Sequence, residues 1–116
     1  MMIKKELYAR LGGFDEHFFM YIEDMELCFR AKLAGYWTYF TPDVVITHVG
    51  QGSSNRGFAI RNIVKGILYF HKKHGTPFSY FVVKFLFKTK ALILVLVGRI
   101  MNNKYLSDTY SAVLKE

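Results

Sequence analysis

The sequence predicts an α/β fold, in which short strands and helices are followed by a mainly helical carboxyl-terminal extension. Helical periodicity begins at Glu23, two strand-like runs follow at 36–40 and 44–49, and two further helical patterns fill 56–97. A hydrophobic content of 52% over 116 residues indicates a folded chain of one domain at most. We therefore expect an α/β unit over residues 1–55 and a helical extension over residues 56–116.

The first elements are predicted to be a short helix, a loop and a longer helix. Residues 3–11 form the short helix, which two glycines stop. Residues 14–21 have no regular period and form an ordered loop. The longer helix begins at Glu23 and ends at Gly35, the expected residue after its carboxyl-terminal cap. Its predicted inner stripe consists of Asp24, Leu27, Cys28, Ala31 and Ala34, while Glu26 and Arg30 form an i, i+4 pair on the outer side.

Two strands are predicted next. The run 36–40 (YWTYF) is aromatic and β-branched, and Thr41-Pro42-Asp43 forms a turn after it. The run 44–49 (VVITHV) is nearly continuous in apolar residues, as expected for a strand that is covered on both faces.

The rear of the chain is predicted to be helical. Ser54 or Asn55 caps a helix over 56–74, and Thr76-Pro77 opens another over 78–97. The second helix is long enough to span a bilayer, but it carries three lysines, each costing about 2.5–3.5 kcal/mol at the membrane centre. A helix that lies in the membrane interface fits this pattern better. Residues 98–116 give no clear prediction.

Charge is divided unevenly along the chain. Residues 1–55 hold five Lys and Arg against seven Asp and Glu, a net charge of −2, whereas residues 56–116 hold eleven against two, a net charge of +9. The basic rear predicts an anionic membrane surface as a partner. Its lysines alternate with apolar residues instead of forming a polar basic stripe, so nucleic acid is not predicted to bind.

The cysteine content and the amino-terminal sequence indicate the cellular compartment of the protein. The single cysteine, Cys28, excludes an intramolecular disulfide framework and fits a reducing compartment. The amino-terminal residues contain no apolar core of a signal peptide. We expect a cytoplasmic protein, peripheral to the inner face of the cytoplasmic membrane.

The pair Glu23-Asp24 has two interpretations on the residues alone. Acids are common in the first turn of a helix, where the helix dipole stabilises them. Alternatively, Asp24 could accept a proton from a hydroxyl that attacks a sugar carbon. A metal site of Asp24 with Glu26 is excluded, because side chains two positions apart on a helix point in different directions.

Three further features have both a structural and a functional interpretation. His48 ends the second predicted strand and is either a core histidine or a metal ligand. The segment 51–56, with Ser53 and Arg56, is either a polar loop or a cradle for a diphosphate at a helix amino terminus. Trp37 either packs in a core or stacks on a sugar ring.

The combination of these motifs resembles the carboxyl-terminal half of the catalytic domain of family 2 glycosyltransferases, in particular the bacterial rhamnosyltransferase-like enzymes. The resemblance covers about residues 5–55. Its motifs are Gly-Gly-Phe-Asp-Glu, Phe-Phe, Glu-Asp at a helix start, a downstream Arg and Gly, Pro-Asp, and a strand-end His before Ser-Ser. In this sequence they are Gly12, Gly13, Phe14, Asp15, Glu16, Phe18, Phe19, Glu23, Asp24, Arg30, Gly35, Pro42, Asp43, His48, Ser53 and Ser54.

The resemblance implies an incomplete GT-A (Rossmann-like) fold and a role for each matched residue. Asp24 would be the catalytic base of an inverting sugar transfer, and Glu23 would lie beside it in the acceptor site. The 12–19 loop, with Asp15 and Phe19, would shape the substrate pocket. His48 would approach a metal ion and a diphosphate. The implied partners are a nucleotide-sugar donor and a saccharide or lipid-linked acceptor in bacterial surface-polysaccharide synthesis.

The sequence also departs from the family pattern. The family holds Mg²⁺ or Mn²⁺ through an Asp-x-Asp in an amino-terminal nucleotide-binding half, and neither that motif nor that half occurs here. We expect a fragment that needs its missing half, and that is inactive as an isolated chain. The alternative hypothesis is a non-catalytic basic module that binds membranes.

Overall fold

The structure is a computed structural model that describes residues 1–47 and 55–116. Those residues form five helices: α1 (Lys5–Arg10), α2 (Glu23–Leu33), α3 (Arg56–His74), α4 (Pro77–Ile100) and α5 (Lys104–Leu114). The described part of the chain contains no β-strand. The predicted α/β class, an incomplete GT-A fragment with short strands, is therefore wrong for these residues.

Helix α2 has the start and the end that the sequence predicts. It begins at Glu23 and is followed by Gly35, whose φ of +84° a side chain would disfavour. The Tyr36 amide donates to the Ala31 carbonyl at 2.9 Å and the Gly35 amide donates to the Lys32 carbonyl at 3.0 Å. These two bonds form a Schellman motif, which satisfies carbonyls that the helix end leaves free.

Both predicted strands are absent where the structure describes them. Residues 36–47 are irregular and exposed, with Phe40 91% and Val45 89% accessible. A strand is stable only when a neighbouring strand completes its backbone hydrogen bonds, and no described segment pairs with this one. Residues 48 and 49 of the second predicted strand lie outside the described residues. Aromatic and β-branched composition alone was not sufficient to form a sheet.

Helices α3, α4 and α5 pack into a bundle. Each is capped by a side chain: Asn55 accepts from the Phe58 amide, Thr76 forms a capping box with Ser79, and Asn103 accepts from the Leu106 amide. The start predicted for α3 is confirmed, as is the helix that opens at Thr76-Pro77. Helix α5 was not predicted. The buried core of the bundle consists of Val64, Leu68, Ala91 and Val113.

The amino-terminal region packs on α3. Ile22 lies so close to Gly66 that a Cβ at Gly66 would be 2.6 Å from Ile22 Cγ1. The Phe18 ring meets the Tyr69 ring edge-on, with centroids 4.9 Å apart, and His17 stacks on the same tyrosine. Helix α3 is therefore the element that joins the acidic front of the chain to the basic bundle.

None of the five described helices, α4 included, has both the length and the apolar character needed to cross a bilayer.

Candidate functional site

A cavity of about 540 Å³ opens between α1, α2 and the irregular segment after α2. Its lining is largely apolar and aromatic, and Asp24 is its acidic residue. The lining residues are Met1, Met2, Ile3, Lys4, Leu7, Asp24, Leu27, Cys28, Ala31, Tyr36, Trp37, Thr38 and Tyr39. Pockets of this kind, apolar with a few polar groups, are typical of small-molecule sites.

Asp24 reaches this cavity from the first turn of α2. It lies on the helix stripe that carries Leu27, Cys28 and Ala31, and all four residues line the cavity. Asp24 Oδ1 accepts a hydrogen bond from the Met25 amide at 2.8 Å. Oδ2 makes no hydrogen bond to a described residue, and the side chain is exposed. A ligand in the cavity can therefore reach a carboxylate oxygen of Asp24.

Trp37 lies on another wall of the same cavity and is 73% exposed. Tyr36, beside it, is also contacted by Arg10, whose guanidinium lies 4.9 Å from the centre of the Tyr36 ring. The cavity therefore combines one carboxylate with exposed aromatic faces, a combination that suits a sugar.

A buried carboxylate lies on the opposite side of α2. Glu26 is completely buried and is bound by two cations and a histidine: Arg30 Nε at 2.8 and 2.9 Å, Lys73 Nζ at 2.8 Å and His74 Nε2 at 2.9 Å. Lys73 Nζ also binds Asp15 Oδ2 at 2.7 Å. We call Asp15, His17, Glu26, Arg30, Lys73 and His74 the Glu26 network.

The Glu26 network fixes the loop before α2. Arg30 donates through Nη1 to the Leu11 carbonyl and through Nη2 to the Gly13 carbonyl, the latter at 2.7 Å. Asp15 Oδ1 lies 2.8 Å from His17 Nδ1 and accepts the His17 amide at 2.9 Å. The loop is thus held to α2 through its backbone and to α3 through the Asp15–Lys73 ion pair.

Ionisation in the network follows from these contacts. Burial alone would raise the pKa of Glu26, but the hydrogen bonds from Arg30, Lys73 and His74 lower that pKa to about 2. For Asp15, burial likewise opposes ionisation, yet Lys73 and the His17 contacts bring its pKa well below the ordinary value. The same two carboxylates raise the pKa of Lys73 against the effect of burial. All three groups are therefore charged at neutral pH.

The predicted i, i+4 pair of Glu26 with Arg30 is confirmed, but its predicted place on the outer side of α2 is wrong. Its spacing to Arg30 indicated an exposed i, i+4 pair, whereas the structure buries Glu26 completely and leaves the side chain of Arg30 17% exposed. The reason is tertiary, because α3 covers this face of α2 with Lys73 and His74. No local pattern joins residues 47 and 48 positions apart, and the network as a whole was missed for that reason.

Four other predicted site residues, Asp15, Phe19, Glu23 and Arg56, do not line the cavity. Asp15 belongs to the Glu26 network. Phe19 is 75% exposed and meets the Phe58 ring edge-on, and Arg56 is the exposed first residue of α3. Glu23 buries its Oε2 without a hydrogen-bond partner among the described residues. Ser53 and His48 lie outside the described residues.

The resemblance implies a divalent metal ion, and the described residues do not form a site for one. Nowhere in residues 1–47 and 55–116 do three His, Cys, Asp or Glu side chains converge as metal ligands. The predicted ligand His48 lies outside this part of the chain.

Comparison with known proteins shows a partial similarity to rhamnosyltransferases, which are family 2 glycosyltransferases. One relative is the N-acetylglucosaminyl-diphospho-decaprenol L-rhamnosyltransferase of Mycobacterium tuberculosis, to which the chain is 32% identical over 56 residues. That match covers 48% of this chain and 18% of the relative. The chain is 36% identical over 58 residues, 50% of its length and 22% of the relative, to rhamnosyltransferase WbbL of Escherichia coli K12. The matched region thus spans about a fifth of these relatives.

Two other comparisons gave no match. No protein-family model matches the chain, and no solved structure is significantly similar to it.

Proposed function

We propose that this chain provides the acceptor-binding, base-bearing part of a glycosyltransferase. The reaction is transfer of a sugar, with rhamnose as the first candidate, from a nucleotide-diphospho-sugar to a hydroxyl of a saccharide or lipid-linked acceptor in bacterial surface-polysaccharide synthesis. The observation that carries the proposal is that Asp24 and Trp37 line one cavity. The partial similarity to two rhamnosyltransferases supports the same reaction class.

In the proposed mechanism the acceptor sugar lies in the cavity with one ring face against Trp37. Asp24 Oδ2 takes the proton from the acceptor hydroxyl as its oxygen attacks the anomeric carbon of the donor. The bond from that carbon to the diphosphate breaks on the opposite face, and the diphosphate leaves with the electron pair. The configuration at the anomeric carbon is therefore inverted.

The Glu26 network has a positioning role in this proposal. It fixes both the start of α2, which carries Asp24, and the loop that precedes it, so the base is held by a rigid neighbour. Asp15 acts here as a partner of Lys73, and we do not assign it a contact with the substrate.

Donor binding is proposed to require a further part of the enzyme. The matched region covers only 18% to 22% of the relatives, and the sequence contains no Asp-x-Asp motif. We propose that a nucleotide-sugar-binding half, with its divalent metal ion, completes the active site from outside these 116 residues.

Acceptor binding can be tested on the chain itself, because its only tryptophan and its only cysteine both line the cavity. The probe is N-acetylglucosamine joined through a diphosphate to a short prenyl chain, chosen from the name of the mycobacterial relative. We expect it to change Trp37 fluorescence saturably and to slow alkylation of Cys28. Free prenyl alcohol is the control ligand. An equal response to the alcohol, or no response to the probe, contradicts a sugar site.

The base is tested in a whole enzyme. The region of the Escherichia coli relative that matches this chain is replaced by the matching region of this chain, and rhamnosyl transfer is measured. We expect Asp24→Asn to reduce the rate constant for transfer by at least about 10²-fold, the scale of general base catalysis, with little change in acceptor binding. Glu6→Gln, an exposed acid on α1 outside the cavity, is the matched control. Equal activity of the Asp24→Asn and Glu6→Gln chimeras would refute the assignment.

A further inference from the structure

Helix α4 has two apolar faces, of which the bundle uses one. Ala91, Val95 and Gly98 are buried toward the rest of the protein. On the opposite side, six apolar residues remain 50% to 85% exposed; we call them the outer stripe. The outer stripe consists of Phe78, Phe81, Phe85, Leu92, Leu96 and Ile100.

The outer stripe is continuous along the helix. Consecutive members are three, four or seven positions apart, which is close to one or two helical turns, so they share one face. From Phe78 to Ile100 the stripe runs about 33 Å at about 1.5 Å per residue. Leu86 and Ile93, 60% and 53% exposed, widen it on one side. A monomeric soluble protein seldom leaves so long an apolar surface without a partner.

Cations flank this surface. At about 100° per residue, Lys88 and Arg99 project on one side of the outer stripe and Lys90 on the other. All three are exposed, and none forms an ion pair within the described residues. Lys84 differs, because it faces the bundle and donates to the Glu116 carbonyl at 3.0 Å. Helix α4 contains no acidic residue at all.

This charge pattern distinguishes between two partners for the outer stripe, a second copy of the chain and an anionic lipid surface. A second copy of α4 would bring Lys88, Lys90 and Arg99 against the same cations, with no carboxylate on the helix to neutralise them. An anionic lipid surface fits both the apolar stripe and the flanking cations, since the acyl region accommodates the phenylalanines and the phosphates bind the cations.

We propose that the outer stripe of α4 is a membrane-docking surface, on which the helix lies parallel to a bilayer that contains anionic lipid. Phe78, Phe81 and Phe85 enter the headgroup–acyl boundary, while Lys88, Lys90 and Arg99 contact lipid phosphates. This inference does not depend on the proposed glycosyl transfer, because no residue of the cavity takes part in it.

The test is flotation of the full chain with vesicles of phosphatidylcholine, with and without phosphatidylglycerol. We expect binding to the mixed vesicles and weak binding to phosphatidylcholine alone. Raising the salt from about 0.1 M to about 1 M shortens the screening length from about 10 Å to about 3 Å, so binding should fall. Equal binding to both vesicle types overturns the anionic part of the proposal.

Two pairs of variants locate the surface. The double change Phe81→Ser with Phe85→Ser is expected to reduce partitioning of the chain onto vesicles at least about tenfold. The double change Lys88→Gln with Lys90→Gln is expected to reduce it about fivefold for each charge removed. The matched controls are Leu33→Ser with Phe40→Ser, which are at least as exposed, and Lys5→Gln with Lys32→Gln on α1 and α2. Circular dichroism checks that each variant remains helical.

Three results overturn the proposal. The first is no binding to any vesicle. The second is an equal loss of binding in the variants and their controls. The third is a concentration-dependent dimer, measured by analytical ultracentrifugation, that the Phe81 and Phe85 changes dissociate while vesicle binding is absent. That last result assigns the outer stripe to a second copy of the chain.

Discussion

Replacing Glu26 by glutamine should destabilise the protein strongly, and the loss should depend on pH. The variant keeps the shape of the side chain but removes the negative charge that pairs with Arg30 and Lys73 and that contacts His74. Removing one member of a buried ion network leaves the others uncompensated, which costs about 3–5 kcal/mol. The glutamine side chain still offers one carbonyl oxygen to these donors, so we expect the lower end of that range.

The pKa of Glu26 gives an independent magnitude. Its ordinary value is 4.5 and its value in the folded chain is about 2, a difference that corresponds to about 3 kcal/mol of stability. Because the pKa is lowered on folding, this contribution is present above pH 4.5 and is lost as the pH falls toward 2. The free energies of unfolding of wild type and Glu26→Gln should therefore differ by about 3 kcal/mol at about pH 7 and converge near pH 2.

Urea unfolding, followed by circular dichroism from about pH 2 to about pH 7, measures this difference without adding salt. Glu16→Gln, an exposed carboxylate in the neighbouring loop, is the control and should change stability by less than about 0.5 kcal/mol. Complete loss of the cooperative transition in Glu26→Gln at neutral pH agrees with the expectation. A difference below about 0.5 kcal/mol at neutral pH, or one that does not vary with pH, refutes the assigned role of the network.

Three further changes test other contacts. Lys73→Gln should cost about 1–2 kcal/mol at neutral pH. Because its contacts raise the pKa of Lys73 above the ordinary 10.5, the loss should stay complete below pH 10.5 and disappear only as the pH rises through that raised pKa. Urea unfolding at about pH 7 and at a series of more alkaline pH values measures both. Gly66→Ala should cost about 1–3 kcal/mol, because the new Cβ would lie 2.6 Å from Ile22 Cγ1. The control is Gly57→Ala on the same helix, where the new Cβ meets a Thr109 hydroxyl at 3.1 Å and should be tolerated better. Equal melting temperatures of the two variants would contradict this packing. Thr76→Ala removes the capping box of α4 and should cost about 1 kcal/mol; an unchanged urea midpoint would show that the cap does not stabilise the bundle.

The helices could be predicted because their signals are local. Gly35 after α2, Asn55 before α3 and Thr76-Pro77 before α4 each act on hydrogen bonds within a few residues of themselves. Apolar residues recurring at helical spacing then fix the buried face. Helix α5 was missed because residues 98–116 mix polar and apolar residues without a clear stripe.

The strands and the buried network could not be predicted in the same way. The composition of residues 36–40 favours an extended backbone, but the hydrogen bonds that complete a strand must come from another segment. Likewise, the burial of Glu26 depends on Lys73 and His74, which no short-range pattern brings to it. The stripe that carries Asp24 was predictable from helical phase, while its catalytic role stays a prediction that depends on the resemblance.

The way Arg30 holds the loop before α2 bears on how this region could be redesigned. Arg30 grips the main-chain carbonyls of Leu11 and Gly13, and main-chain atoms are the same whatever the side chain. The exposed Glu16 side chain takes no part in these hydrogen bonds, whereas the Phe14 and Phe19 rings pack edge-on against Tyr8 and Phe58. Glu16 can therefore be varied on an unchanged loop backbone while Arg30 and Asp15 are kept, whereas a change of Phe14 or Phe19 would also remove a ring contact.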